Sequence, residues 1–184
     1  PSLVPSSSAG VLEGPSSSRQ MPKEAFGKAD WERYFGGVGK EPPLPADIES
    51  ILSGPCPIDP RKKMRETHLL TLIPATVNGH PLTLDSLEEL VKSPKNGGRA
   101  TKYRYYWPDS KEQKRGKSAL SSYWVLMTKD VLPGTRSKSY AKQRERLRKI
   151  VRGHGRLKGE VPTLLEAATS VMMHYVRSGE RLYK

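Results

Sequence analysis

The chain has 184 residues, 35% of them hydrophobic and 28% charged, with a formal net charge of +13. No apolar run approaches the roughly 20 residues that a membrane-crossing helix needs. The 16 glycines and 16 prolines are too many for an all-helical bundle and too aperiodic for collagen, and the length predicts a single domain.

From Pro1 to about Met21 the chain is mostly Ser, Pro, Gly and Ala, with apolar residues too scattered to form a face. This composition predicts a disordered leader over residues 1–25 and a folded domain over 26–184. Trp31, Tyr34 and Phe35 then fall on one side of a short helix ending at Gly36-Gly37, and we read them as an anchor on the core. Pro42-Pro43-Leu44-Pro45 forces extended backbone and reads as a rigid connector. Asp47 is placed to cap a helix with Ile48, Ile51 and Leu52 on one face, stopped by Gly54-Pro55.

The apolar run in Glu66–Ile73 predicts a strand covered on both faces. Asn78-Gly79 signals a tight turn, and Asp85 with Glu88 suggests a capping box for a helix whose stripe is Leu87, Leu90 and Val91, ended by Pro94. Tyr103, Tyr105 and Trp107 alternate with Lys102, Arg104 and Tyr106, which predicts a strand over Thr101–Trp107. Ser121–Thr128 is a second such run, expected to pair with it antiparallel. Ser137 or Ser139 would start a long basic helix reaching Arg152, with a narrow stripe of Tyr140, Leu147, Ile150 and Val151. A last helix is expected from Pro162 to Arg177, ended by Gly179, with Val161, Leu164, Leu165, Ala168, Val171, Met172, Tyr175 and Val176 inward. Arg181-Leu182-Tyr183 then reads as the beginning of a further strand, and with Pro1 at the front the sequence reads as a piece of a longer protein. The fold predicted is α+β: a small, mainly antiparallel sheet packed by two or three helices.

Catalytic templates fit poorly. Gly116-Lys117-Ser118 has Lys111 where a phosphate-binding loop needs its first glycine, and Gly153-His154-Gly155 with Gly159 follows no apolar strand and is spaced one residue too long for a dinucleotide loop. Cys56 is the only cysteine, so no internal disulfide is available, and a thiol nucleophile would need His68, His80, His154 or His174 brought to it by the fold. A cysteine between two prolines reads as inert, and His174 reads as a solvated residue on a helix flank. The histidines show no ligand spacing, and Glu88 and Glu89 point to different sides of a helix. Neither a metal nor another cofactor is expected.

One feature exceeds background. Lys138, Lys142, Arg144, Arg146, Arg148, Lys149, Arg152, Arg156 and Lys158 face the single acid Glu145, which concentrates +8 of the net charge in this stretch. On a helix, Lys142 with Arg146, Arg144 with Arg148, and Arg148 with Arg152 are like-charge neighbours, each unfavourable by about 0.2–0.5 kcal/mol. Lys138 and Lys142 also sit near the positive end of the helix dipole. Such a segment gains from an anionic partner: nucleic acid, an anionic membrane face or an acidic protein surface. For nucleic acid, Tyr106 and Trp107 are the candidate stacking residues. The bland reading is a solvated basic face.

Several segments carry a family resemblance: Trp31-Glu32-Arg33-Tyr34-Phe35-Gly36, Ile73-Pro74-Ala75-Thr76-Val77-Asn78-Gly79, Ala100-Thr101-Lys102-Tyr103-Arg104-Tyr105, Ser122-Tyr123-Trp124-Val125-Leu126-Met127-Thr128 and Val176-Arg177-Ser178-Gly179-Glu180-Arg181-Leu182-Tyr183. Together they resemble an uncharacterised domain that occurs as multiple related copies in chlamydia-related intracellular bacteria, over roughly Phe26 to the end of the chain. The resemblance brings no catalytic residues. It implies a bacterial cytoplasmic location or secretion into a host cell. Between Tyr140 and Lys158 this chain is more basic than the pattern. The expectation is thus a non-enzymatic interaction module, host-directed in the light of the resemblance, with Lys138, Lys142, Arg144, Arg146, Arg148, Lys149 and Arg152 as its contact surface. The alternative is a nucleic-acid-binding protein using the same helix.

Overall fold

The computed structural model describes residues 21–101, 117–152, 154, 157 and 159–183. The fold is α+β, and its spine is strand β2 (His68–Ile73), with all six residues buried. On one edge β2 pairs in parallel with the two-residue strand β1 (Ala25–Phe26), Ala25 lying opposite Leu70. On the other it pairs antiparallel with β5 (Tyr123–Thr128), His68 opposite Thr128 and Ile73 opposite Tyr123. The sheet is therefore mixed, in the order β1-β2-β5.

The described partner of β5 is β2, and the pairing expected between β5 and Thr101–Trp107 falls on residues outside the described ones. Residues 102–116 lie outside the described residues; Thr101 carries no strand assignment and donates its N–H to Val91 O at 2.9 Å. The ordered body also begins ahead of Phe26: Ala25, which composition assigns to the leader, is 3% exposed.

Helix α1 (Lys28–Tyr34) follows β1 directly. Gly27 has no side chain to cap it, and Glu41 Oε1 accepts from Lys28 N at 2.7 Å instead. A Cβ on Gly27 would lie 2.9 Å from that same oxygen, which explains the glycine. Trp31, Tyr34 and Phe35 are buried as expected. The Trp31 indole donates to Leu72 O at 3.0 Å, in the middle of β2. Helix α2 (Ile48–Ser53) covers Leu70 with Ile48 and Leu52, and the proline connector is held by Trp124 Nε1, which donates to Pro42 O at 2.9 Å.

Met64–Thr67 forms a short helix α3, so the strand begins at His68 and not at Glu66. The Asn78-Gly79 turn joins β3 (Thr76–Val77) to β4 (His80–Pro81), with φ of 51° and 81° at its two centres, as a tight hairpin demands.

Helix α4 (Leu84–Lys92) is capped two residues earlier than the sequence suggests. Thr83 Oγ1 accepts from Ser86 N at 3.1 Å and Ser86 Oγ accepts from Thr83 N at 2.8 Å, leaving Asp85 in the first turn. Its Leu87 and Val91 reach the same core as Leu72, Ile73, Met173 and Val176.

Helix α5 (Tyr140–Ile150) has no buried residue. Helix α6 (Leu164–Ser178) starts at a Thr163 cap, with Glu166 closing the box, and ends at Gly179 with φ of 74°. Its buried face is centred on Thr169, Ser170, Met173 and Val176, about one residue round from the predicted stripe, while Leu164 stands in solvent. Of the predicted stripe, Val176 is buried and Leu165, Ala168 and Met172 pack against the core from its flank, while Thr169, Ser170 and Met173 take the centre. Arg181-Leu182-Tyr183 forms no strand; the Tyr183 hydroxyl donates to Thr128 O.

Candidate interaction surface

Helix α5 stands apart because its sequence gives it little to bury. Its N-cap Ser139 makes no side-chain cap bond, its first turn holds no acid, and its last turn holds Arg148 and Lys149, the favourable end for cations. One side of the helix is engaged. Gln143 Nε2 donates to Lys138 O at 3.0 Å, Arg146 Nε donates to Pro133 O at 3.1 Å, and Leu147, Ile150 and Val151 are half-buried. The chain returns over this end so closely that a Cβ on Gly159 would lie 2.7 Å from Val151 Cγ2.

The opposite side faces solvent. Tyr140, Ala141, Arg144, Glu145, Arg148, Lys149 and Arg152 line an open groove of about 540 Å³ along it. All seven cations predicted as the contact surface, Lys138, Lys142, Arg144, Arg146, Arg148, Lys149 and Arg152, are exposed. Among the described residues, the one ion pair they make is Lys149 Nζ with Glu145 Oε1 at 2.7 Å, which also holds the Glu145 carboxyl below its ordinary range through the hydrogen bond and charge of Lys149. The structure nonetheless divides the seven. Arg146 braces the loop at Pro133, whereas Arg144, Arg148 and Arg152 point into the groove.

Tyr140 departs from its expected place in the apolar stripe: it is 62% exposed at the first turn, where no element among the described residues covers it. The stacking candidates Tyr106 and Trp107, and the cations Arg156 and Lys158, lie outside the described residues.

The catalytic alternatives find no site here. Cys56 is 1% exposed in the loop between α2 and α3, its Sγ accepting from Ile58 N at 3.4 Å, so the thiol is not presented to a substrate. His68 is 8% exposed, with Nδ1 2.8 Å from Thr67 Oγ1, and burial pushes its pKa down to about 4. His174 corrects the expectation of a solvated flank. Its side chain is 11% exposed, Nε2 lies 3.4 Å from Glu180 Oε2 without hydrogen-bond alignment, and burial lowers its pKa against the opposing pull of Glu180. Among the described residues, no three of His, Cys, Asp and Glu gather in a metal-binding arrangement, and no helix is long and apolar enough to cross a membrane.

The fold and this surface together describe an α+β body carrying an outlying cationic helix. Comparison with protein-family models, with curated proteins and with solved structures gives no match.

Proposed function

We propose that the protein is a non-enzymatic interaction module that docks on an anionic partner through the outer face of α5. The observation that carries this reading is the exposure of all seven cations, of which, among the described residues, Lys149 alone is ion-paired, to Glu145. A row of like charges raises the helix's own energy, and an anionic surface relieves that repulsion while gaining long-range attraction. The resemblance to the multicopy domain of chlamydia-related intracellular bacteria supports a host-directed role for the module as a whole, whereas the basic face of α5 is a feature of this chain beyond that pattern.

The test replaces Arg144, Arg148 and Arg152 together by Gln, leaving Arg146 to brace its loop, and measures the salt concentration that elutes the full chain from an immobilised polyanion. A clear drop is expected. Unchanged elution from every anionic surface tried, with the helix intact by circular dichroism, would overturn the proposal.

A further inference from the structure

The outer face of α5 has an order that general basicity does not require. Tyr140, Arg144 and Arg148 follow one another at four-residue intervals, so their origins climb the helix in steps of about 6 Å, and Arg152 stands in the turn just past its last residue, Ile150. All four line the same groove. Three guanidiniums along one groove suit a linear polyanion, and each presents a planar fork of donors that matches phosphate oxygens in pairs.

At the head of this line stands an exposed aromatic ring. A ring beside a cationic track is the combination on which an unpaired base stacks while its backbone is neutralised. An acidic protein surface fits less well. A tight protein contact needs an apolar anchor sunk in a pocket, and among the described residues the groove is one open helix face whose lining is Tyr140, Ala141 and charged groups. A duplex uses the arginines but leaves Tyr140 idle, because its base faces are covered.

Resting on the anionic-docking reading above, we infer that the occupant of this groove is single-stranded nucleic acid, with Arg144, Arg148 and Arg152 on consecutive phosphates and Tyr140 stacked on a base. The contacts are to backbone and ring face, so DNA and RNA strands of one sequence bind alike.

The experiment measures binding of the full chain to a labelled single strand of about 16 nucleotides, in DNA and RNA versions, to its duplex, and to a poly-glutamate peptide of matched charge, from about 50 to about 200 mM salt. The single strands are expected to bind tightest. Neutralising the three arginines should lower the slope of log affinity against log salt by about 2, from about 0.7 per lost phosphate contact. Tyr140→Leu should weaken the single strand by about five-fold or more and leave the duplex unchanged, while Tyr140→Trp should retain binding. Because Tyr140 touches solvent and not core, these variants keep the fold.

Equal affinity of Tyr140→Leu and the parent for the single strand would overturn the inference, as would a duplex bound as tightly. A strong preference for RNA over DNA would overturn the backbone-and-ring account. Capture of poly-glutamate alone would overturn the inference and leave anionic docking standing; capture of neither polymer would overturn both.

Discussion

The guanidinium of Arg177, in the last turns of α6, donates to the carbonyl oxygen of Ala25 at 2.8 Å, 152 residues earlier in the chain. Its second nitrogen donates to Glu24 O at 2.9 Å, and the same group lies 5.6 Å from the Phe26 ring centre and 3.6 Å from Asp30 Oδ2. A strand of two residues cannot hold itself in a sheet, and this clamp supplies what its own length lacks.

Arg177→Ala is therefore expected to lower stability by about 2–3 kcal/mol, the scale for lost charged hydrogen bonds to carbonyls left under-satisfied. Arg177→Lys should rescue little, since a single ammonium does not span both carbonyls and the ring. Urea denaturation compares the three proteins; a Lys variant as stable as the parent would contradict the clamp.

Trp31→Phe should cost about 3 kcal/mol: it removes the indole donor from Leu72 O and leaves a gap in the core. The change reads as a lower denaturation midpoint with an unchanged slope. A loss well under 1 kcal/mol would show that Leu72 O finds another donor.

The buried His68 sets a pH window. Its folded pKa of about 4 lies below the ordinary 6.5, so the unfolded chain takes up the proton first. Its contribution is complete above 6.5 and is lost as pH falls towards 4. The parent should lose about 2 kcal/mol more than His68→Asn between about pH 7 and about pH 5. Parallel pH profiles for the two would refute this. His174, whose pKa is lowered in the same direction, adds a smaller loss of the same sign.

On α5 the structure separates residues that composition treats alike. Glu145→Gln removes the one carboxylate from the groove and should tighten binding to any anionic strand. Arg148→Gln should weaken it more than Arg146→Gln, whereas Arg146→Gln should speed amide exchange in the adjoining loop. Equal effects of the two arginine changes in both measurements would remove the distinction.

How much of this was legible in the sequence depended on how local the cause was. The Trp31-Tyr34-Phe35 anchor and the Asn78-Gly79 turn are each dictated by neighbours within a few positions and stand where expected, as does the apolar strand apart from its first two residues, which belong to α3. Strand β1 was not legible, because Ala25 and Phe26 owe their conformation to Leu70 and Arg177. The α6 face was read about one residue off because hydropathy ranks Val171 above Thr169, whereas the packed side of the helix runs through Thr169, Ser170, Met173 and Val176 whatever their polarity. Asp85 competed with Thr83 as a cap, and the hydroxyl with Ser86 three residues on formed the box. The cationic run was plain from composition, but its division into a bracing Arg146 and a groove-lining Arg148 depends on the loop at Pro133, and Tyr140 was drawn into the stripe by a spacing that nothing at the first turn rewards.

The Arg177 clasp also orders events in time. A ribosome delivers Ala25 and Phe26 long before it delivers the arginine that secures them, so the early edge of the sheet waits, loosely held, until Arg177, 152 residues after Ala25, has emerged. Closure of the body is thus a late step, and a nascent chain halted before Ser178 should remain open to proteolysis near its front even after β2 and β5 have been synthesised.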